Sequence, residues 1–187
     1  KCSEAMERYQ QEMKTLTRKL LHIIFKAMGA RQEDEAAISY MLEHNPSGAL
    51  QLNSYPTCPN PDRAVGLPPH TDTFLLTVLH QNRTDGLHVF RPDLGWRLVP
   101  PVAGAFVVNL GDLMHVLSNA RFVNACHRVV PNSIARRVTI GYFFAPAMDS
   151  AVAPLPEVLV PKFRSVVVKE YIRLREKHLE KAIDFIR

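Results

Sequence analysis

A mainly β fold with flanking helices, its strands forming a two-sheet roll or barrel, is what this 187-residue sequence predicts. Between Leu50 and Pro146, short runs rich in β-branched and aromatic residues are separated by Pro, Gly, Asn and Asp. On either side of that stretch, apolar residues instead recur at steps of three and four, the helical period. A chain of this length that is 47% hydrophobic suits one domain with one sizeable core.

In order along the chain, Met6, Tyr9, Met13, Leu16, Leu20, Ile24 and Ala27 form one helical stripe of core contacts, and Gly29 is placed to end the helix. A second, shorter helical pattern runs from about Gln32 to Met41. Strand candidates follow at Leu50–Tyr55, Phe74–Leu79, Leu87–Arg91, Trp96–Val99, Ala105–Asn109, His127–Val130 and Arg137–Phe144. After a proline-rich connection from Pro146 to Pro161, Val166–Arg187 is helical again, with Ile172, Leu179, Ile183 and Ile186 on one face. Its other face carries Arg173–Glu176, Lys177–Glu180 and Lys181–Asp184 as opposite-charge neighbours three apart. The expected organisation is one domain: a helical support over 1–48, the β core over 49–146, and a connection plus carboxy-terminal helix over 147–187 packing on that core. The chain enters a helical pattern straight from Lys1 with no methionine, so a native amino-terminal region is expected to be missing.

Charge and cysteine content narrow the partners. The formal charge of +5 is modest and its basic residues are scattered, so no nucleic-acid partner is expected, only a weak pull on acidic small molecules. Cys2, Cys58 and Cys126 form no C-x-x-C and no disulfide framework. Reduced thiols in a cytoplasmic, or also nuclear, monomer are the expectation. No apolar stretch reaches membrane-spanning length and no signal-peptide pattern opens the chain, so no membrane partner is expected. Hydrolase, kinase and nicotinamide chemistries have no support, because no G-x-S-x-G, Walker loop or dinucleotide glycine fingerprint occurs.

The chemistry-bearing pattern is His70-Thr71-Asp72 with a second histidine, His127, 55 positions after Asp72. Two histidines and one carboxylate on one face of an iron leave three positions open, which suits non-haem Fe(II) oxygenases. An H-x-D tripeptide alone usually arises by chance, and its weight comes from Arg137-Val138-Thr139, ten residues beyond His127. Residues two apart in a strand share a face. His70 and Asp72 can therefore both point inward with Thr71 outward, and Arg137 and Thr139 share a face suited to a carboxylate. Asn53 and Tyr55 repeat the pattern on an earlier strand. Taken singly, Asn53 and Tyr55 also read as a turn-side pair, and Arg137 as a surface cation beside Arg136. Three polar pairs facing a strand interior are costly unless they converge, and a metal with a bound dianion would satisfy all of them. His80, His88 and His115 lack a partner at metal spacing; His22, His44 and His178 sit on helices or their ends; Cys126 should face away from His127.

Larger blocks of sequence add a resemblance. Leu52–Pro59, Gly66–Asp72, Val108–Asp112, Leu117–Asn119, His127-Arg128 and Arg137–Thr139 resemble the plant 2-oxoglutarate- and Fe(II)-dependent dioxygenases. Pro61–Ala64, Leu75–Asn82, Asp93–Trp96, Val99–Pro101 and Val168–Tyr171 bring the chain nearest to the gibberellin 3-beta-hydroxylases. That resemblance implies a double-stranded β-helix (jelly-roll) core, Fe(II) on His70, Asp72 and His127, and 2-oxoglutarate on Tyr55, Arg137 and the hydroxyl of Thr139. Asn53 joins these as a candidate cosubstrate contact. The implied reaction hydroxylates carbon 3 of a gibberellin-like diterpenoid acid while O2 and 2-oxoglutarate become succinate and CO2, with ascorbate as reductant. Alternatives are gibberellin 2- or 20-oxidation, a flavonoid or specialised-metabolite dioxygenase and, in a different class, a non-catalytic ligand-binding relative. The sequence departs from the family at Thr139, where serine is usual, at Pro68-Pro69 before the H-x-D, and in lacking the longer amino-terminal region that helps to wall the substrate pocket.

Overall fold

Helix α1 (Cys2–Met28) and helix α2 (Gln32–Glu43) precede the strands. The structure, a computed structural model, describes residues 2–29, 31–155 and 160–187. Gly29 ends α1 with a φ of +88°, a conformation open to glycine at little cost. The most buried line of α1 is Met13, Thr17, Leu21 and Phe25, one residue round from the expected stripe. Leu16, Leu20 and Ile24 flank it half-buried and Ala27 is exposed. The reason is the helical drift: each step of four overshoots a full turn by about 40°, so the line from Met13 to Phe25 winds away from the stripe that mixed threes and fours.

Eight strands then build two four-stranded antiparallel sheets. They are β1 (Ser47–Tyr55), β2 (Leu67–His70), β3 (Leu76–Gln81), β4 (Leu87–Arg91), β5 (Gly95–Leu98), β6 (Phe106–Leu110), β7 (His127–Val129) and β8 (Arg137–Ala145). One sheet has the order β1-β8-β3-β6 and the other β2-β7-β4-β5. The fold is therefore a jelly-roll core with flanking helices, as the sequence predicts. Strand β2 lies outside the expected set because Pro68 and Pro69 argue against a strand. It occupies a sheet edge, pairing with β7 only at Leu67↔Val129 and His70↔His127 around an irregularity, where missing proline N–H groups cost nothing.

A short helix α3 (Asp112–Leu117) follows β6, and β9 (Ala151–Val152) pairs with β10 (Val166–Val167). The expected connection from Pro146 to Pro161 includes 156–159, which lie outside the described residues. Helix α4 (Val168–His178) stops earlier than expected. Leu179 takes a φ of +51°, and Leu179–Ile186 continues as 3-10 turns. That break rotates the face: Leu179 is exposed, while Tyr171, Ala182 and Ile186 are buried. It also re-pairs the charges, so that Arg175–Glu180 (3.6 Å) and Arg187–Asp184 (3.1 Å) form instead of the expected neighbours.

Strand alternation separates core from interior. On β8, Tyr142 and Phe144 point outward and join Leu76 and Val78 of β3 and Met13, Leu21 and Phe25 of α1 in the hydrophobic core. Arg137, Thr139, Gly141 and Phe143, on the opposite face, line a cavity inside the roll. The apolar core thus holds the sheet from behind, which leaves its inner face free to carry polar groups.

Candidate active site

His70 ends β2 and His127 begins β7, and the two are a cross-strand pair with ring centroids 4.2 Å apart. Each ring is oriented by its own backbone. The His70 Nδ1 lies 2.9 Å from the Pro68 carbonyl and the His127 Nδ1 3.0 Å from that of Ala125. A carbonyl only accepts, so each Nδ1 carries the proton and each Nε2 presents its lone pair. Both Nε2 atoms face Asp72, at 3.8 and 3.7 Å from Oδ1. Two ligand atoms each about 2.1 Å from one ion can lie up to about 4.2 Å apart, so these separations admit a shared cation. Among the described residues this is the one group of three or more His, Cys, Asp or Glu close enough to hold a metal.

The chemistry of the donors fits Fe(II). Asp72 is 7% exposed, and among the described residues its buried Oδ2 has no hydrogen-bond partner, a costly state for a carboxylate oxygen that a divalent cation would relieve. Burial, and then the proximity of His127, push the His70 imidazole below its ordinary value, which keeps it neutral and able to ligate. Two imidazoles and one carboxylate are the donor set expected of a facial site with open positions. Thr71, expected to face away, also borders the cavity, because the chain leaves the strand at His70 and alternation ends there.

The second constellation is set by strand register. Strand β1 pairs with β8 so that Asn53 lies opposite Thr139 and Tyr55 opposite Arg137. The four residues separated by more than eighty positions are thus two cross-strand pairs on one inner face. Arg137 is 1% exposed and, among the described residues, has no carboxylate partner. Its Nη2 donates to Gln81 Oε1 at 2.9 Å, its Cζ lies 5.4 Å from the centre of the Tyr55 ring, and its Nε has no partner among the described residues. Burial lowers the guanidinium's pKa and raises that of the Tyr55 hydroxyl, while attraction between the two opposes both shifts. A buried, unneutralised cation beside a hydroxyl is a receptor for a carboxylate. Thr139 is 2% exposed, Asn53 Nδ2 donates to its Oγ1 at 3.5 Å, and Asn53 Oδ1 accepts from Gln51 Nε2 at 3.0 Å. Gly86 allows the arrangement, since a Cβ there would collide with the Arg137 side chain and the Val130 carbonyl.

All seven expected residues (Asn53, Tyr55, His70, Asp72, His127, Arg137 and Thr139) line one cavity of about 310 Å³. Phe74, Leu79, Leu87, Val129 and Phe143 complete its wall with apolar surface. Gln51, Thr73, Thr77, Asn109 and Arg175 add polar groups to the wall that the i, i+2 pairs do not mark. Gln81 holds Arg137 and pairs in register with Thr139; its place two residues after Leu79 on β3 was the available signal. Arg175 reaches the cavity from α4, whose charge pattern in sequence marks only its neighbours Arg173, Glu176 and Lys177. His115, expected to be structural, has its Nδ1 2.7 Å from the Phe122 carbonyl, and Cys126 lines no part of this cavity.

Residues 32–146 match the family described as the 2OG-Fe(II) oxygenase superfamily. The chain is 43% identical to gibberellin 3-beta-dioxygenase 1 of Arabidopsis thaliana over 98% of its own length and 53% of that protein's. It is 40% identical to gibberellin 3-beta-dioxygenase 1 of Pisum sativum, covering 96% of this chain and 49% of that one. It therefore spans about half the length of the curated relatives it matches. Among solved structures it is similar to JOX2 in complex with 2OG, Fe and JA, with 32% identity, a TM-score of 0.83, and coverage of 91% of this chain and 51% of that one. The rice dioxygenase for auxin oxidation superposes with a TM-score of 0.84 at 27% identity, over 98% of this chain and 63% of that one. Fe(II) and 2-oxoglutarate are accordingly the cofactor and cosubstrate of this domain: the chain belongs to the 2OG-Fe(II) oxygenase superfamily.

Proposed function

We propose that the protein is an Fe(II)- and 2-oxoglutarate-dependent dioxygenase that hydroxylates a gibberellin at the 3-beta position. The observation that carries the chemistry is the placement of His70, Asp72, His127 and the buried, carboxylate-free Arg137 on the wall of one cavity. The substrate reading is supported by the likeness to gibberellin 3-beta-dioxygenases from Arabidopsis thaliana and Pisum sativum.

In this reading His70 and His127 hold Fe(II) through Nε2 and Asp72 through its carboxylate. Bound Fe(II) supplies the O2 activation that couples conversion of 2-oxoglutarate to succinate and CO2 with insertion of one oxygen atom into a substrate C–H bond. The protein's own part is orientation and exclusion. Arg137 binds the carboxylate of 2-oxoglutarate remote from the keto acid, and the Thr139 and Tyr55 hydroxyls add donors. Asn53 fixes the Thr139 hydroxyl, and Gln81 fixes the guanidinium plane. Phe74, Leu79 and Phe143 keep the cavity wall apolar, so that a hydrocarbon can displace water beside the metal.

The test is incubation of the protein with Fe(II), 2-oxoglutarate, ascorbate, O2 and a panel of gibberellins and flavonoids, with products identified by mass spectrometry. The expected product is a 3-beta-hydroxylated gibberellin formed one for one with succinate. Oxidation at carbon 2 or carbon 20, or of a flavonoid in its place, would overturn the substrate assignment. Binding of gibberellin with no succinate formed in its presence would favour the non-catalytic reading.

A further inference from the structure

The run Val108–Asp112 contributes Asn109 to the cavity wall, but its last residue takes no part in that wall. Asp112 is nevertheless a carboxylate only 1% exposed, which requires an explanation in its contacts. Its Oδ1 accepts from Asn124 Nδ2 at 2.5 Å, and its Oδ2 accepts from the Tyr171 hydroxyl at 2.8 Å. Arg175 Nε stands 3.5 Å from the same Oδ2. The Asp112 backbone N–H donates to the Asp72 carbonyl at 2.8 Å, and Arg175 Nη2 donates to the Thr71 carbonyl at 2.7 Å.

Three of these contacts, to Asn124, Asp72 and Thr71, end on a segment that carries a proposed metal ligand, and the other two tie Asp112 to α4. Thr71 is the residue between His70 and Asp72, and both its carbonyl and that of Asp72 are held. Asn124 lies three residues before His127, on the loop that leads into β7. Gly111 lets the two chains approach, since a Cβ there would meet the Phe74 and Asp72 carbonyl oxygens. We propose that Asp112 and Arg175 are positioning residues for the metal site, a buried ion pair that locks the His70–Asp72 loop and the His127 approach loop onto α4. The proposal rests on the reading of His70, Asp72 and His127 as the Fe(II) ligands.

The physical reason is preorganisation. His70 is the last residue of β2 and His127 the first of β7, and Asp72 sits in irregular chain beyond β2, so ladder hydrogen bonds alone do not fix Asp72. Groups around metal ligands typically change affinity by about 10–100-fold when lost. Arg175 suits the task because its planar fork can face a carboxylate with one nitrogen and a carbonyl with another. A lysine at this position keeps the charge but cannot make both contacts from one fixed plane.

The experiment is titration of the purified protein with Co(II), anaerobically, read by the visible d–d absorption of the bound ion. Arg175→Ala and Asp112→Asn should weaken Co(II) binding by about tenfold and shift the bands, with Arg175→Lys intermediate. Tyr142→Phe, a buried change in the core on the far side of the sheet, supplies a comparison of destabilisation without loss of the network. It should leave Co(II) binding as in the wild type, and a loss there equal to that of Arg175→Lys would assign the effect to stability and overturn the proposal. Wild-type Co(II) affinity and spectrum in both Arg175→Lys and Arg175→Ala would also overturn it. So would a raised KM for substrate with unchanged metal binding, because Arg175 Nη1 is buried without a partner among the described residues and would then be a ligand contact. If the wild type itself takes up no Co(II), or keeps it in His127→Ala, the metal-site reading fails instead, and the two failures are thereby distinguished.

Discussion

At the scale of single residues, Arg137 has the environment that most needs a ligand. Its guanidinium is buried in the cavity wall, held on one edge by Gln81 and, among the described residues, left without an anion. Removing one partner of a buried charged pair costs about 2–5 kcal/mol, so Arg137→Ala should raise the 2-oxoglutarate requirement by tens- to thousands-fold. Metal affinity should stay unchanged, which a metal titration in the absence of 2-oxoglutarate would check. Arg137→Lys should recover only part of the loss, because a point charge cannot replace a two-pronged donor. Tyr171 makes a second residue-level test. Burial first, and then the Asp112 carboxylate, push its hydroxyl well above the ordinary tyrosine range. A raised folded-state pKa means stability that is fully present below about pH 10 and lost as pH rises further. Tyr171→Phe should therefore be less stable than wild type at neutral pH, by about 1–3 kcal/mol for a buried acceptor left short of a donor, with a gap that closes in alkali. Denaturant midpoints measured from pH 7 upward would show it. Arg137 and Thr139 were legible in sequence because strand alternation places residues two apart on one face. Gln81 was not, because its partner is 56 positions away and only strand pairing brings them together.

At the scale of elements, register does what spacing along the chain cannot. The β1–β8 ladder turns two i, i+2 pairs into facing pairs, and the β2–β7 ladder sets His70 against His127. The helices are positioned by packing instead. Helix α3 begins where Gly111 passes under the Phe74 carbonyl, with the Gly111 N–H donating to Leu75. Gly111→Ala should force those chains apart and lower stability by about 1–3 kcal/mol or more, as overpacking of backbone does. Loss of metal affinity should accompany it, because Asp72 sits on the displaced segment. Chemical denaturation paired with metal titration would test both. Strands of regular composition were readable from sequence to within a few residues. Strand β2 was not, because its prolines disguise an edge position, and the end of α4 was not, because nothing in the composition around Leu179 signals its positive φ.

At the scale of the whole molecule, one sheet divides two environments. Its outer face packs on α1 and joins the main apolar core, and its inner face lines a polar-ended cavity. Burying polar groups inside a roll is unfavourable unless they are matched, and the orphaned Asp72 Oδ2 and Arg137 Nε sit on the same cavity wall. One ligand that bridges a divalent cation and a guanidinium would satisfy both. The dependence of cosubstrate on metal follows: 2-oxoglutarate should bind as one molecule per chain, and tightly only with the metal in place. Anaerobic titration calorimetry with 2-oxoglutarate, run with and without Fe(II), measures this directly. The predicted result is stoichiometric binding with Fe(II), lost in His127→Ala and greatly weakened without the metal. Equal affinity in the presence and absence of Fe(II), or binding indifferent to His127, would contradict a shared metal and cosubstrate site.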